Sequence, residues 1–311
     1  MKGARFDISL PDFLWIDLIN PSAARLKEIG KQFNLSQYLL NDSLDPEHLP
    51  KYERTQEADF FILRAYDDES TSEADTVHEL SRKIACFWGK DFLITVHRRD
   101  QNYIQRLRQK WSTPPPDENN ASLLLVADLI NSALQSYEAP IDQAENKLEK
   151  CEMDIFAAPG AQPFEIQTGY YLKRRASVIK RILRLSSDVL HRLQNLSRDQ
   201  ALFQDLKELL ERQLFYAEEL HENANSLLNL HISLSSQKTN EASHRANEVM
   251  RLLTVFSVFF LPLNFIASIY GMNFVHMPEL QSHYGYPIVL IAMIVVAAII
   301  YIWFKRKGWT V

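Results

Sequence analysis

The chain has 311 residues, a formal net charge of −5 and a pI near 6.0. That balance excludes the strongly basic surface of a nucleic-acid-binding protein. Two widely separated cysteines, Cys86 and Cys151, with no C-x-x-C pair, argue against a zinc site or a disulfide framework.

The first residues, Met1-Lys2-Gly3-Ala4-Arg5-Phe6-Asp7, lack the apolar stretch of a secretory signal, so the N-terminal part is expected to begin in the cytosol. Residues 1–120 read as a mixed α/β domain. Phe13–Leu18, Phe60–Tyr66, Lys83–Trp88 and Phe92–His97 are strand candidates, and Gly89-Lys90-Asp91 reads as the hairpin turn between the last two. Asn20-Pro21-Ser22 opens an amphipathic helical run to Phe33, with Pro21 suited to the first turn. A short helix, Ser36–Leu44, carries Asp42 and ends before Pro46. Trp111–Asp117, with three consecutive prolines, breaks the chain.

Residues 121–249 read as a helical hairpin followed by a stalk. One helix is expected from about Ala121 to Phe156, a turn at Ala157–Pro163, and a second helix from about Phe164 to Leu193. Asp142, Glu145, Glu149, Glu152 and Asp154 on the first could face Lys173, Arg174, Arg175, Lys180, Arg181 and Arg184 on the second. Exposed pairs of this kind stabilise by roughly 0–1 kcal/mol each, so they guide topology more than they set stability. Ser197 and Gln200 make a capping-box pattern that opens a third helix. No Gly or Pro occurs from Tyr170 to Leu261, so this helix is expected to run unbroken into the apolar region. Leu206, Leu210, Ala217, Leu220, Ala224, Leu227 and Leu234 form a 3-4 apolar stripe along it.

The mean hydropathy of −0.22 conceals two uncharged stretches near the C-terminus, Leu252–Tyr270 and Pro287–Phe304. As helices each is about 27–29 Å long, close to the roughly 30 Å of a bilayer core. Residues 250–311 are therefore expected to form a membrane domain with a loop at 271–286 and a basic tail at 305–311. The loop has no Lys or Arg, whereas Lys305-Arg306-Lys307 follow the second span. The positive-inside rule puts that tail, and with it the large N-terminal part, in the cytosol. On the first span Asn247, Met250, Thr254, Ser257, Leu261, Asn264, Ser268 and Gly271 share one face, and bulky apolar side chains fill the others. A polar face in lipid must meet other helices or water, so it is either a packing surface or a pore wall. Met250, Leu253 and Leu261 could form apolar constrictions, and Pro262 could bend the wall.

At the outer end of this span stands Tyr270-Gly271-Met272-Asn273, followed by Met277-Pro278-Glu279-Leu280, Gly285-Tyr286-Pro287, the second span and Lys305-Arg306-Lys307-Gly308-Trp309. This ordered set resembles the CorA family of magnesium channels. The resemblance is strongest from Asn247 to the end and covers the rest in organisation. It implies a homopentameric funnel: an α/β cytosolic domain, a long helical stalk and two C-terminal transmembrane helices around one pore, in a prokaryotic inner membrane. It implies that Gly271, Met272 and Asn273 form the selectivity filter, and that Asn247, Met250, Leu253, Leu261 and Asn264 line the pore. Glu279 would attract cations, and Lys305, Arg306 and Lys307 would form a basic collar. It also implies gating by intracellular Mg2+ held between subunits, with Asp42 and Asp205 as ligands.

The chain departs from the family pattern in places. Asn41 stands where a second acid is frequent. Thr239-Asn240-Glu241 is followed seven residues later by Ala246-Asn247-Glu248, as if one heptad were inserted, and the Asp205 assignment depends on it. His276, Met277 and His283 are softer ligands than Mg2+ needs, which keeps open a transporter of Co2+, Ni2+ or Zn2+. A membrane-tethered enzyme is the reading from another class. No G-x-x-x-x-G-K loop, H-E-x-x-H helix or G-x-S-x-G elbow supports it.

Overall fold

The computed structural model describes residues 3–10, 13–113, 121–156, 164–195, 200–272, 274, 277–278 and 282–308. The chain divides into two compact units, Met1–His231 and Ile232–Val311.

The first unit is built on a six-stranded sheet. Its strands are β1 (Ala4–Leu10), β2 (Phe13–Ile19), β3 (Lys51–Arg54), β4 (Ala58–Tyr66), β5 (Ser81–Gly89) and β6 (Phe92–His97), in the order β1-β2-β6-β5-β4-β3. Only β2 and β6 run parallel; the other neighbours are antiparallel. Both faces of the inner strands are covered, and the strand period of two sorts their side chains. Ile16, Leu18, Phe60, Ile62, Phe87 and Ile94 go to one face. There they meet α1 (Ala23–Gln32) and α2 (Gln37–Leu44) through Leu26, Ile29, Leu39 and Leu40. Trp15, Phe61, Leu63, Ile84, Cys86 and Leu93 go to the other, against helices that follow the sheet.

Ser22, not Pro21, starts α1: its side chain accepts the Arg25 N–H at 3.2 Å, and Pro21 lies before the cap. Gly30 lets α1 approach α2, because a Cβ there would collide with the Leu40 side chain. After α3 (Val77–Leu80) and the β5–β6 hairpin comes α4 (Asn102–Trp111), a helix that the sequence reading passed over. Its Ile104, Leu107, Arg108 and Trp111 point inward at helical spacing.

The expected helix over Ala121–Phe156 is two helices, α5 (Ala121–Gln135) and α6 (Glu138–Ile155). Pro140 explains the break. It has no N–H for the carbonyl of residue 136 and its ring clashes with that carbonyl in an unbroken helix. The freed segment docks on the sheet. Ser136 Oγ accepts the Tyr66 N–H at 2.8 Å, and Tyr137 OH donates to the Arg64 carbonyl at 2.8 Å.

Next is α7 (Ile166–Gln194). Its basic residues do not pair with the acids of α6 among the described residues. Arg174 reaches Asp75, Lys180 reaches Glu218 at 3.7 Å and Lys173 donates to Asn225. The last helix of this unit, α8 (Gln200–Tyr270), continues into the second. Ser197, half of the expected capping box, lies outside the described residues, as do residues 114–117 of the expected break and residues 157–163 of the expected turn. Within the first unit α8 buries Leu206, Leu210, Ala217, Leu220, Ala224 and Leu227 of the expected stripe, with Phe203 in addition; Leu234, its last member, is half-buried and belongs to the second unit.

The second unit contains the rest of α8 and α9 (Gly285–Arg306). Both are long and apolar enough to cross a membrane. Pro262 sits inside α8 without ending it.

Candidate functional site

In the second unit α8 has two opposed faces. Val255, Val258, Phe259, Pro262, Leu263 and Ile266 are half-buried, and Phe259 stacks on Phe304 of α9 with ring centroids 5.9 Å apart. On α9 the matching half-buried or buried stripe is Val289, Met293, Val296, Ala297, Ile300 and Phe304. At 100° per residue, Met250, Leu253, Ser257, Leu261, Asn264 and Ser268 lie on the side of α8 turned away from α9, and Asn247 lies about a quarter-turn from the packing face. All are exposed; Leu261 is 70%, Met250 66% and Leu253 63% accessible. Asn247 and Asn264 make no hydrogen bond to another described residue. Thr254 differs, since its hydroxyl donates to the Met250 carbonyl at 2.8 Å and is satisfied by its own helix. An amide left without a partner in hydrocarbon is costly, so this face needs water or another helix against it.

The helix closes at Gly271, whose N–H points at the carbonyls of Ala267 and Ser268 at 3.0 and 3.2 Å. A Cβ at Gly271 would meet those carbonyls at 3.3 and 3.5 Å, and its backbone is not left-handed. The chain's own conformation therefore barely requires glycine there. Met272 follows, 44% accessible. Asn273 and Glu279 lie outside the described residues. At the other end of α9, Lys305 and Arg306 occupy the last turn and Lys307 the C-cap, all exposed. Cations at a helix C-terminus complement its partial negative charge.

Asp42, on α2, is only 7% accessible. Its Oδ2 accepts from Lys51 Nζ at 2.5 Å and its Oδ1 lies 3.2 Å from His48 Nε2. Lys51 also reaches Glu53 at 2.6 Å. Burial alone would lower the Lys51 ammonium, but the two carboxylates outweigh it and hold it above the ordinary lysine value. Asp205 is exposed on α8, and no hydrogen bond or ion pair joins it to Asp42. Among the described residues no three His, Cys, Asp or Glu side chains gather as a metal site.

Sequence reasoning missed a second charged centre. Asp17, inside β2, is fully buried. Its Oδ1 accepts from Thr95 Oγ1 at 2.5 Å and lies 2.9 Å from His97 Nε2; its Oδ2 accepts from Arg108 at 2.5 Å. Arg108 also grips both oxygens of Asp100, at 2.6 and 2.7 Å, and Trp15 Nε1 donates to Thr95. His97 Nδ1 is 2.6 Å from the Arg99 carbonyl, so the ring is held between two acceptors. Burial by itself would raise the Asp17 carboxyl, but His97, Thr95 and Arg108 more than offset it and leave it below the usual range. These partners are 78 to 91 residues away in sequence. The one local signal is an acid in the apolar run Phe13-Leu14-Trp15-Ile16-Asp17-Leu18-Ile19. This centre holds β2, β6 and α4 together.

Residues 11–306 match the family described as CorA-like Mg2+ transporter protein. The chain belongs to the CorA family. The magnesium transport protein CorA of Haemophilus ducreyi is 30% identical over 313 residues, covering 96% of this chain and 93% of the relative. The cobalt/magnesium transport protein CorA of Thermotoga maritima is 25% identical over 321 residues, covering 97% and 84%. Among solved structures, the complete CorA magnesium transporter of Methanocaldococcus jannaschii superposes with a TM-score of 0.65 at 22% identity, covering 96% and 92%. CorA membership agrees with the fold: an α/β soluble part, a long helix and a C-terminal helix, with two candidate spans.

Proposed function

We propose that this CorA-family chain is a magnesium channel, not an enzyme, that carries divalent cations inward as a homopentamer. The observation that carries the reading is the exposed polar face of α8, opposite the face that packs on α9. Five copies placed with that face inward would give a wet pore, lined by Asn247, Met250, Leu253, Leu261 and Asn264, and leave the bulky apolar faces to lipid. The relatives' names supply the cargo: magnesium for one, cobalt and magnesium for the other. Residues 1–249 form the cytosolic part and 250–311 the pore domain. Both termini lie in the cytosol, and the membrane is a prokaryotic plasma membrane.

Gly271, Met272 and Asn273 form the filter. Mg2+ gives up its waters reluctantly. A ring of neutral Asn273 amide oxygens and Gly271 carbonyls accepts hydrogen bonds from those waters without stripping them, and releases the ion more readily than a ring of carboxylates would. The slight local need for glycine at 271 supports this role, since crowding around a shared axis then supplies the requirement. Glu279 concentrates cations at the mouth. Lys305, Arg306 and Lys307 surround the inner end.

Gating is through Mg2+ bound between Asp42 of one copy and Asp205 of the next. One chain alone does not make that site, because Lys51 and His48 already occupy the Asp42 carboxylate. A cation must loosen the Lys51 contact to bind there, which fits a low-affinity sensor of millimolar magnesium better than a tight structural site.

Flux into liposomes tests the reading. Wild type should admit Mg2+, and Asn273→Ala should admit little or none. Zinc flux without magnesium flux in either protein would move the assignment to a transition-metal transporter. Asp42→Ala combined with Asp205→Ala should stay conducting at high internal Mg2+; unchanged inhibition would remove the gating claim.

A further inference from the structure

A cavity of about 600 Å³ opens in the first unit between the end of α2, β4, β5 and the end of β6. Arg64, Arg82, Lys83, Arg98 and Arg99 line it, against one carboxylate, Glu47. Arg82 and Arg99 have acid partners, Asp67 and Glu69. The other three cations hydrogen-bond only to neutral groups.

Arg64 is 3% accessible. It donates to Ser81 Oγ and to the carbonyls of Pro46, His48 and Ser81 at 2.8 to 3.2 Å. Lys83 Nζ donates to the carbonyls of Asp42, at 2.7 Å, and Asp45. Arg98 touches the Leu44 carbonyl. Arg64 and Lys83 are also register partners on the antiparallel strands β4 and β5. Like charges directly opposite each other destabilise a sheet, and a buried charge without a counter-charge is costly. Arg82 Nε, in the same lining, is buried with no hydrogen-bond partner.

We propose that this cavity is an anion site that takes a phosphate-bearing small molecule of at least two negative charges. The lining carries five cations against one carboxylate, Glu47, and the acids nearest Lys83, Asp42 and Asp45, are not part of it, which leaves the cavity itself positive. The volume is within the range of small-molecule sites and exceeds what one phosphate fills. Lys83 and Arg98 retain donors for phosphoryl oxygens, while Arg64, saturated by carbonyls, contributes charge. Charge-assisted hydrogen bonds to phosphate are the strong class.

Calorimetry on the full chain in detergent and magnesium-free buffer, with sodium pyrophosphate in one arm and sodium ADP in the other, tests this. Saturable binding of both is expected. Equal affinities assign the site to the phosphoryl groups alone, and tighter ADP binding to a nucleotide. Lys83→Met should weaken binding by about tenfold or more. Arg98→Ser, at an exposed position, should weaken it without risk to folding. Lys207→Met, which removes the same charge from α8, should change it less than twofold. No saturable heat in either arm, or equal loss in Lys207→Met, would overturn the proposal.

Discussion

In the unit Met1–His231 most interior polar side chains are matched to one another, although Arg82 Nε, Gln101 Oε1, Tyr103 OH and Gln213 Oε1 are not. In the unit Ile232–Val311 the side-chain amides of Asn247 and Asn264 on α8 have no partner among the described residues, while Thr254 bonds its own helix. Asp17 has three side-chain donors around it at 2.5 to 2.9 Å. Asn264 is exposed on the face opposite α9, and Asn247 is exposed about a quarter-turn from the packing face. The same contrast runs along α8 itself. Leu206, Leu210, Ala217 and Leu220 are buried, whereas from Ser235 to Thr254 every residue is exposed. The first unit is closed by its own contacts. The second presents surfaces that, in the proposed pentamer, lipid and further copies would cover.

The contrast predicts the largest stability loss at Asp17. Asp17→Ala leaves Arg108 and His97 buried beside an empty place, which costs about 3–5 kcal/mol. The unfolding midpoint of the detergent-solubilised protein, followed by tryptophan fluorescence, should fall accordingly; a loss near zero would mean the cluster is not structural. The pH dependence has a definite sign. Because the folded Asp17 carboxyl is lowered from 3.8, its contribution is fully present above that value and is lost as pH falls further. Between pH 5 and pH 3 the wild type should therefore lose more stability than Asp17→Asn.

That centre also shows what the sequence could and could not display. The inner strands β2, β4, β5 and β6 were legible as apolar runs because both of their faces are covered. The edge strands β1 and β3 were not. Ala4–Leu10 is mostly accessible and Lys51–Arg54 is a four-residue polar segment, so backbone pairing holds them more than side-chain burial does. α4 was hidden by its polar composition, although Ile104, Leu107, Arg108 and Trp111 keep a helical period. Pro140 is the local signal for the break between α5 and α6. The membrane helices, the polar face and the Gly271-Met272 corner needed only local pattern. The charged centres needed strand register: Arg64 meets Lys83, and Asp17 meets Thr95, only once β4–β5 and β2–β6 are aligned.

A second test sets the two parts of α8 against each other. Leu210 is 1% accessible in the main core, and Leu210→Ala should cost about 2–5 kcal/mol. Leu253 is 63% accessible, and Leu253→Ala should alter the melting of the first unit by less than about 0.5 kcal/mol. Its effect should appear in ion flux, through a wider apolar constriction. A large stability loss in Leu253→Ala with unchanged flux would contradict the division.

The smallest effect concerns the charges on the helical hairpin. Lys180 and Glu218 approach to 3.7 Å, with side chains 29% and 41% accessible, so solvent screens the pair. Removing it with Lys180→Ala should cost no more than about 1 kcal/mol. The contacts on α7 give the result a use. If acids of α6 held the basic residues of α7, Glu149→Ala and Lys180→Ala would be coupled in a double-mutant cycle. With Lys180 turned to α8, the coupling should instead appear between Lys180→Ala and Glu218→Ala, be a few tenths of a kcal/mol, and fade at high salt. Coupling to Glu149 of equal size would restore the pairing that the charge pattern alone suggests.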